Sequence, residues 1–100
     1  MQKHILIVDD EPAIRDMVAF ALRKAGFEPM HAGDAQQALV AIADRLPDLI
    51  LLDWMLPGTS GLELARRLRR DQPTREVPII MLTARGEEND RVSGLDAGVD

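Results

Sequence analysis

Three apolar runs in this chain each stop at a residue that could bind a cation or a phosphoryl group. Ile5-Leu6-Ile7-Val8 leads into Asp9-Asp10-Glu11, Leu49-Ile50-Leu51-Leu52 into Asp53, and Pro78-Ile79-Ile80-Met81-Leu82 into Thr83. Parallel strands share one carboxyl edge, so acids far apart in sequence can meet in one mouth. A lone aspartate after a strand is usually a turn residue or a helix cap. Three carboxylates in one low-dielectric mouth differ, because they stay ionised together only when a cation offsets their repulsion. Magnesium suits this supply, since it takes oxygen in octahedral array and binds through a few carboxylates plus water and phosphate oxygens. With such an ion in place, one carboxylate can attack phosphorus and become an aspartyl phosphate. Asp53 stands alone on its strand and is the expected nucleophile, while the adjacent Asp9 and Asp10 are better disposed to hold metal. Thr83 could offer its hydroxyl, and Ala84 its backbone N–H, to a phosphoryl oxygen.

The elements that position these residues follow from periodicity. Runs of strand length alternate with segments of helical period, the pattern of a βαβα chain with a parallel sheet. Strands are expected near 4–8, 27–31, 48–52 and 78–82. The first helix opens at Pro12, carries Ile14, Met17, Val18, Ala21 and Leu22 on one face toward the sheet, and stops at Gly26. The second, near 35–45, takes Asp34 as its cap, buries Ala35, Ala38, Leu39 and Ile42, and ends before Pro47. Ser60-Gly61-Leu62-Glu63 reads as a capping box for the third, with Leu64, Ala65 and Leu68 turned inward. A weaker fourth helix is expected from about Gly86 to Ala97.

Composition narrows the function classes. One hundred residues at 46% apolar content describe one globular domain, with no linker, repeat or low-complexity segment to divide it. Cysteine is absent and histidine occurs twice, which leaves no disulfides, no thiol nucleophile and too few ligands for zinc. Any metal must be held by oxygen. A net charge of −5 argues against direct nucleic-acid binding by these residues. The apolar runs are far shorter than the ~20 residues that cross a bilayer, and Met1-Gln2-Lys3-His4 leads into a strand rather than a signal peptide, so a cytoplasmic location is expected.

Asp9-Asp10, Asp53 with Pro57 and Gly61 after it, and Thr83-Ala84 together resemble the receiver domain of bacterial two-component response regulators. The resemblance spans the whole chain. Within it, Leu51 through Gly58 and Met81 through Glu88 look like the winged-helix (OmpR/PhoB) class, and in that class most like its phosphate-starvation regulators. The resemblance implies a flavodoxin-like (CheY-like) doubly wound α/β fold with parallel strand order 2-1-3-4, to which a fifth strand would add. It implies that Asp53 accepts a phosphoryl group from a sensor histidine kinase, with Mg2+ held by Asp10, Asp53 and the Met55 carbonyl, and by Asp9 through water. Thr83 is the switch hydroxyl of that pattern, and the Ala84 N–H contacts the phosphoryl group. Such a domain accepts phosphate on its own side chain and is not a turnover enzyme. It reaches DNA only through an attached effector domain.

Further expectations rest on the same resemblance. The kinase docks around Ile14 and Arg15 of the first helix, and the phosphorylated form pairs with itself through the fourth-helix face, with Glu88, Arg91 and Asp96 contributing. Receivers carry a lysine and a switch aromatic on a fifth strand. The only lysines here, Lys3 and Lys24, lie elsewhere, so residues 1–100 are expected to form a receiver incomplete at its C-terminus. Such a chain should bind magnesium and phosphorylate poorly.

Other residues carry plainer readings. Met17, Met30 and Met81 are core filler, and Trp54 is packing beside the acid site that could also report metal binding. Arg66, Arg67, Arg69 and Arg70 are expected on a solvated face in the last turns of a helix, where cations complement the dipole. His4 and His31 have no partner at ligand spacing. A haloacid-dehalogenase-type phosphatase also uses a strand-end aspartate, but it needs a second acid two residues on, where this chain has Met55. A nucleotide-binding module would need a glycine-rich loop after the first strand, where this chain has Asp-Asp-Glu-Pro. An interaction domain on the same fold that works without phosphorylation remains as the alternative.

Overall fold

Strand and helix alternate along the chain, and the computed structural model describes residues 2–82. The elements are β1 (His4–Val8), α1 (Pro12–Lys24), β2 (Glu28–Ala32), α2 (Ala35–Asp44), β3 (Leu49–Asp53), α3 (Gly61–Arg70), a single 3₁₀ turn (Gln72–Thr74) and β4 (Ile79–Leu82). The sheet is parallel with order β2-β1-β3-β4, the expected doubly wound arrangement. β2 and β3 each lie one residue later than periodicity suggests, and the shift brings Asp53 into β3. The expected fourth helix, with Glu88, Arg91 and Asp96, lies outside the described residues.

β1 and β3 hold the centre of the sheet. Leu6, Ile7, Val8, Ile50 and Leu52 are wholly buried, as strands covered on both faces must be. Each such side chain is worth roughly 1.5–3 kcal/mol of burial. Leu6, Val8, Ile50 and Leu52 share one core with Leu64, Ala65 and Leu68 of α3 and Ala35 and Ala38 of α2, with Leu39 and Ile42 half-buried against it, whereas Ile7 lies on the other face of the sheet.

The helix ends follow their local chemistry. The Gln37 N–H donates to the Asp34 carboxylate at 2.8 Å, and the Glu63 N–H donates to the Ser60 hydroxyl at 3.2 Å. After α1, Gly26 takes φ +93°. Its N–H donates to Arg23 O at 3.0 Å and the Phe27 N–H to Leu22 O at 2.9 Å, the paired bonds of a Schellman motif.

α1 departs from its expected facing. Ala19 is its buried residue, Ile14, Val18 and Leu22 are half-buried, and Met17 is 63% exposed. Ala21 is exposed as well. Met17 lies about 200° around the helix from Ala19, so the two cannot share one face. Met17 is therefore not core filler, whereas Met30 and Met81 do pack against the core.

Candidate functional site

Strand register sets the acid site. Val8 pairs with Leu52, so one further step along β1 and β3 places Asp9 beside Asp53. The Asp9 N–H continues the ladder on the other flank by donating to Ala32 O at 3.0 Å. Asp9, Asp10 and Asp53 each present a carboxylate oxygen within 4.8 Å of the others. Opposite oxygens of an octahedral magnesium, with bonds of about 2.1 Å, stand about 4.2 Å apart. The observed spread is thus a small side-chain adjustment from one coordination sphere, and the oxygen-only donor set fits that ion.

The three acids sit in different surroundings. Asp9 is buried, Asp53 half-buried and Asp10 exposed. The Glu11 N–H donates to the Asp9 carboxylate at 2.9 Å, and the Met55 N–H approaches the Asp53 carboxylate at 3.4 Å. Burial pushes the Asp53 carboxyl above its ordinary range, and the Asp9 charge and, less strongly, the Asp10 charge push it further; the Met55 and Trp54 N–H groups work the other way. Desolvation and crowded like charges both raise a carboxyl in this way. Asp53 also borders a cleft of about 450 Å³ whose lining includes Asp9, Glu11, Ile14, Met81 and Leu82.

The loop after Asp53 is held by glycine. A Cβ on Gly61 would overlap the Asp53 carbonyl oxygen and come within 3.1 Å of the Trp54 Cα. The Gly61 N–H donates to Trp54 O at 3.0 Å, so the first turn of α3 rests on the end of β3. Gly58 turns the loop with φ +79°. Leu82, the last residue of β4, pairs with Asp53. Thr83 and Ala84, which follow it in sequence, lie outside the described residues.

Two arginines take roles that periodicity did not suggest. Arg15, expected where the kinase docks on α1, is half-buried and turned back onto the Asp9 carbonyl. Arg69, expected in a solvated cluster, donates to Val77 O at 2.7 Å and Arg75 O at 3.0 Å and so clamps the turn that leads into β4. Arg66, Arg67 and Arg70 are exposed as expected. The partner of a long, flexible side chain is decided by backbone far away in sequence, and no local signal marked either arginine.

A family model for the response regulator receiver domain matches residues 5–100. The chain belongs to that family: it is a receiver domain, with the sheet order and strand-end acids described above. Its curated relatives include the phosphate regulon transcriptional regulatory proteins PhoB of Pseudomonas aeruginosa and of Escherichia coli. The first is 63% identical over 98 residues, which is 98% of this chain and 43% of that protein. The second is 52% identical over 100 residues, which is all of this chain and 44% of that protein. The chain thus spans less than half the length of the relatives it matches. Among solved structures, the N-terminal domain of a response regulator receiver protein from Methanoculleus marisnigri superimposes with TM-score 0.90 at 32% identity, covering all of this chain and 81% of that one. Vibrio cholerae CheY4 gives TM-score 0.90 at 30% identity over 99% of this chain and 82% of that one. No helix among the described residues is long and apolar enough to cross a membrane.

Proposed function

We propose that this chain is the phosphoacceptor domain of a PhoB-type transcriptional regulator, modified on Asp53 by a sensor histidine kinase. The observation that carries this reading is the meeting of Asp9, Asp10 and Asp53 from two strands within 4.8 Å, on a chain 63% identical to a phosphate regulon regulator. Asp10, Asp53 and the Met55 carbonyl would hold Mg2+, with Asp9 acting through water. When bound, the ion supplies positive charge for the carboxylates and for the oxygens of an incoming phosphoryl group.

The chain's own residues do the rest. An Asp53 carboxylate oxygen attacks phosphorus, a P–O bond forms as the P–N bond of the donor phosphohistidine breaks, and the released imidazole nitrogen takes up a proton. Half-burial thins the water around the Asp53 carboxylate, which leaves an oxygen accessible to an incoming phosphoryl group. Thr83 and the Ala84 N–H are the residues assigned to receive the phosphoryl oxygens. The kinase docks on α1, a homodimer forms through the fourth-helix face, and DNA is reached through an effector domain outside these 100 residues. The response served is phosphate limitation.

Mg2+ titration followed by Trp54 fluorescence, then beryllofluoride as an aspartyl-phosphate mimic, tests this reading. A Mg2+-dependent signal that Asp53→Asn abolishes supports it. A chain that ignores both reagents is a passive interaction module instead.

A further inference from the structure

Arg15 lies six residues beyond Asp9, in the opening turns of α1, and its side chain folds back along the helix. Its Nη1 donates to the Asp9 carbonyl oxygen at 2.5 Å. That carbonyl belongs to the peptide unit joining Asp9 to Asp10. The plane of this unit sets ψ of Asp9 and φ of Asp10, and so the directions in which the two carboxylates leave the chain. The N–H and the carboxylate of Asp9 are held by Ala32 O and the Glu11 N–H. Arg15 adds a hydrogen bond to the carbonyl between them, from a side chain instead of the backbone.

The guanidinium is not there by default. Its Nε is buried with no hydrogen-bond partner among the described residues, and a donor left dry costs free energy that a solvent-facing rotamer would avoid. Room for the group comes from Gly33, where a Cβ would stand 3.3 Å from Arg15 Nη1 and 3.2 Å from Gln37 Oε1. The Gly33 N–H donates to that same Oε1 at 2.8 Å. Gly33, Gln37 and Arg15 thus form a small assembly behind the acids, joining the β2–α2 turn to the β1–α1 turn.

We propose that Arg15 is a positioning residue for the magnesium site, acting through the Asp9–Asp10 peptide, with Gly33 leaving the space it occupies. The proposal rests on the metal-binding reading above. Its sign separates it from simple electrostatics: removing a cation beside a cation site strengthens metal binding through charge alone, whereas loss of positioning weakens it. Magnesium demands near-ideal octahedral geometry and calcium tolerates variation, so a positioning defect falls harder on Mg2+.

The test is calorimetric titration of the whole chain with Mg2+ and with Ca2+, alongside melting curves in chelator. Arg15→Met is expected to lower Mg2+ affinity by about 10- to 100-fold, the usual cost of losing an outer-shell partner, and to lower Ca2+ affinity less. Arg15→Lys, which keeps the charge and one donor, is expected to recover part of the loss. Gly33→Ala, which leaves every charge in place, is expected to weaken Mg2+ in the same direction. Mg2+ affinity in Arg15→Met that is unchanged or tighter overturns the role of Arg15 while leaving the metal site intact. A wild-type chain that binds no Mg2+ overturns the metal reading and this proposal together. Should Arg15→Met fail to fold, Gly33→Ala decides, and Mg2+ affinity equal to wild type there overturns the proposal.

Discussion

The carbonyl oxygen of Asp53 occupies the place where a side chain on residue 61 would begin, so α3 can start where it does only because that residue is Gly61. The obstruction is backbone, which cannot swing aside as a flexible side chain could. Gly61→Ala must push the first turn of α3 off the end of β3. Overpacking of this kind costs about 1–3 kcal/mol, and it should also move the Asp53 carboxylate away from Asp9. Urea melts and Mg2+ titration of the variant should both show a loss. Unchanged values in both would mean that the contact relaxes without cost.

Asp53 should destabilise the metal-free fold at neutral pH. Its carboxyl is raised above the ordinary range by burial and by Asp9, so the folded state holds the proton more tightly than the unfolded chain. The penalty for ionising it is absent below the ordinary carboxylate value near ~4 and fully present once pH exceeds the raised one. Asp53→Asn should therefore melt a few degrees above wild type at neutral pH in chelator, with the advantage fading as pH falls toward ~4. Saturating Mg2+ should reverse the order, because the variant has lost a ligand. Melting curves across pH that show no advantage for the Asn variant in chelator would contradict this account.

Thr74 should matter out of proportion to its size. It is 3% exposed, and its hydroxyl donates to Leu68 O in the last turns of α3 at 2.6 Å. Thr74→Val keeps the shape and leaves that carbonyl without its donor, a change worth about 1–3 kcal/mol. Chemical denaturation measures it directly. Mg2+ binding should stay near wild type, since the 3₁₀ turn enters β4 at the end away from the acids.

Gly26 isolates a purely backbone effect. Nothing lies within 4 Å of a Cβ placed there, yet its φ is +93°. Gly26→Ala should cost about 1–2 kcal/mol through the left-handed penalty alone, with no change in Mg2+ affinity. Equal stability of the variant and wild type would show that the chain leaves α1 by another conformation.

Much of this architecture was legible in the sequence, because it depends on local and cooperative patterns. Apolar runs as short as Leu49–Leu52 read as buried strands, and the segments between them carry helical period with Asp34, Ser60 and Gly26 at their ends. Acids placed at the ends of such strands must gather at one edge of a parallel sheet, which is why Asp9, Asp10 and Asp53 group together on sequence alone. The facing of α1 was less legible. Its apolar residues outnumber the positions that touch the sheet, so composition alone could not separate Val18, which is half-buried, from Met17, which is not.

The sequence by itself determined the alternation of elements, the parallel sheet and the meeting of the acids, since each follows from the chemistry of short segments. Only the tertiary structure decided that Arg15 turns back onto Asp9, that Arg69 closes on the β4 entry, and that Gly61 lies against the Asp53 carbonyl. Each of these depends on backbone brought close from elsewhere in the chain. A long side chain has many rotamers and a glycine has no side chain at all, so neither declares its neighbours until the chain has packed.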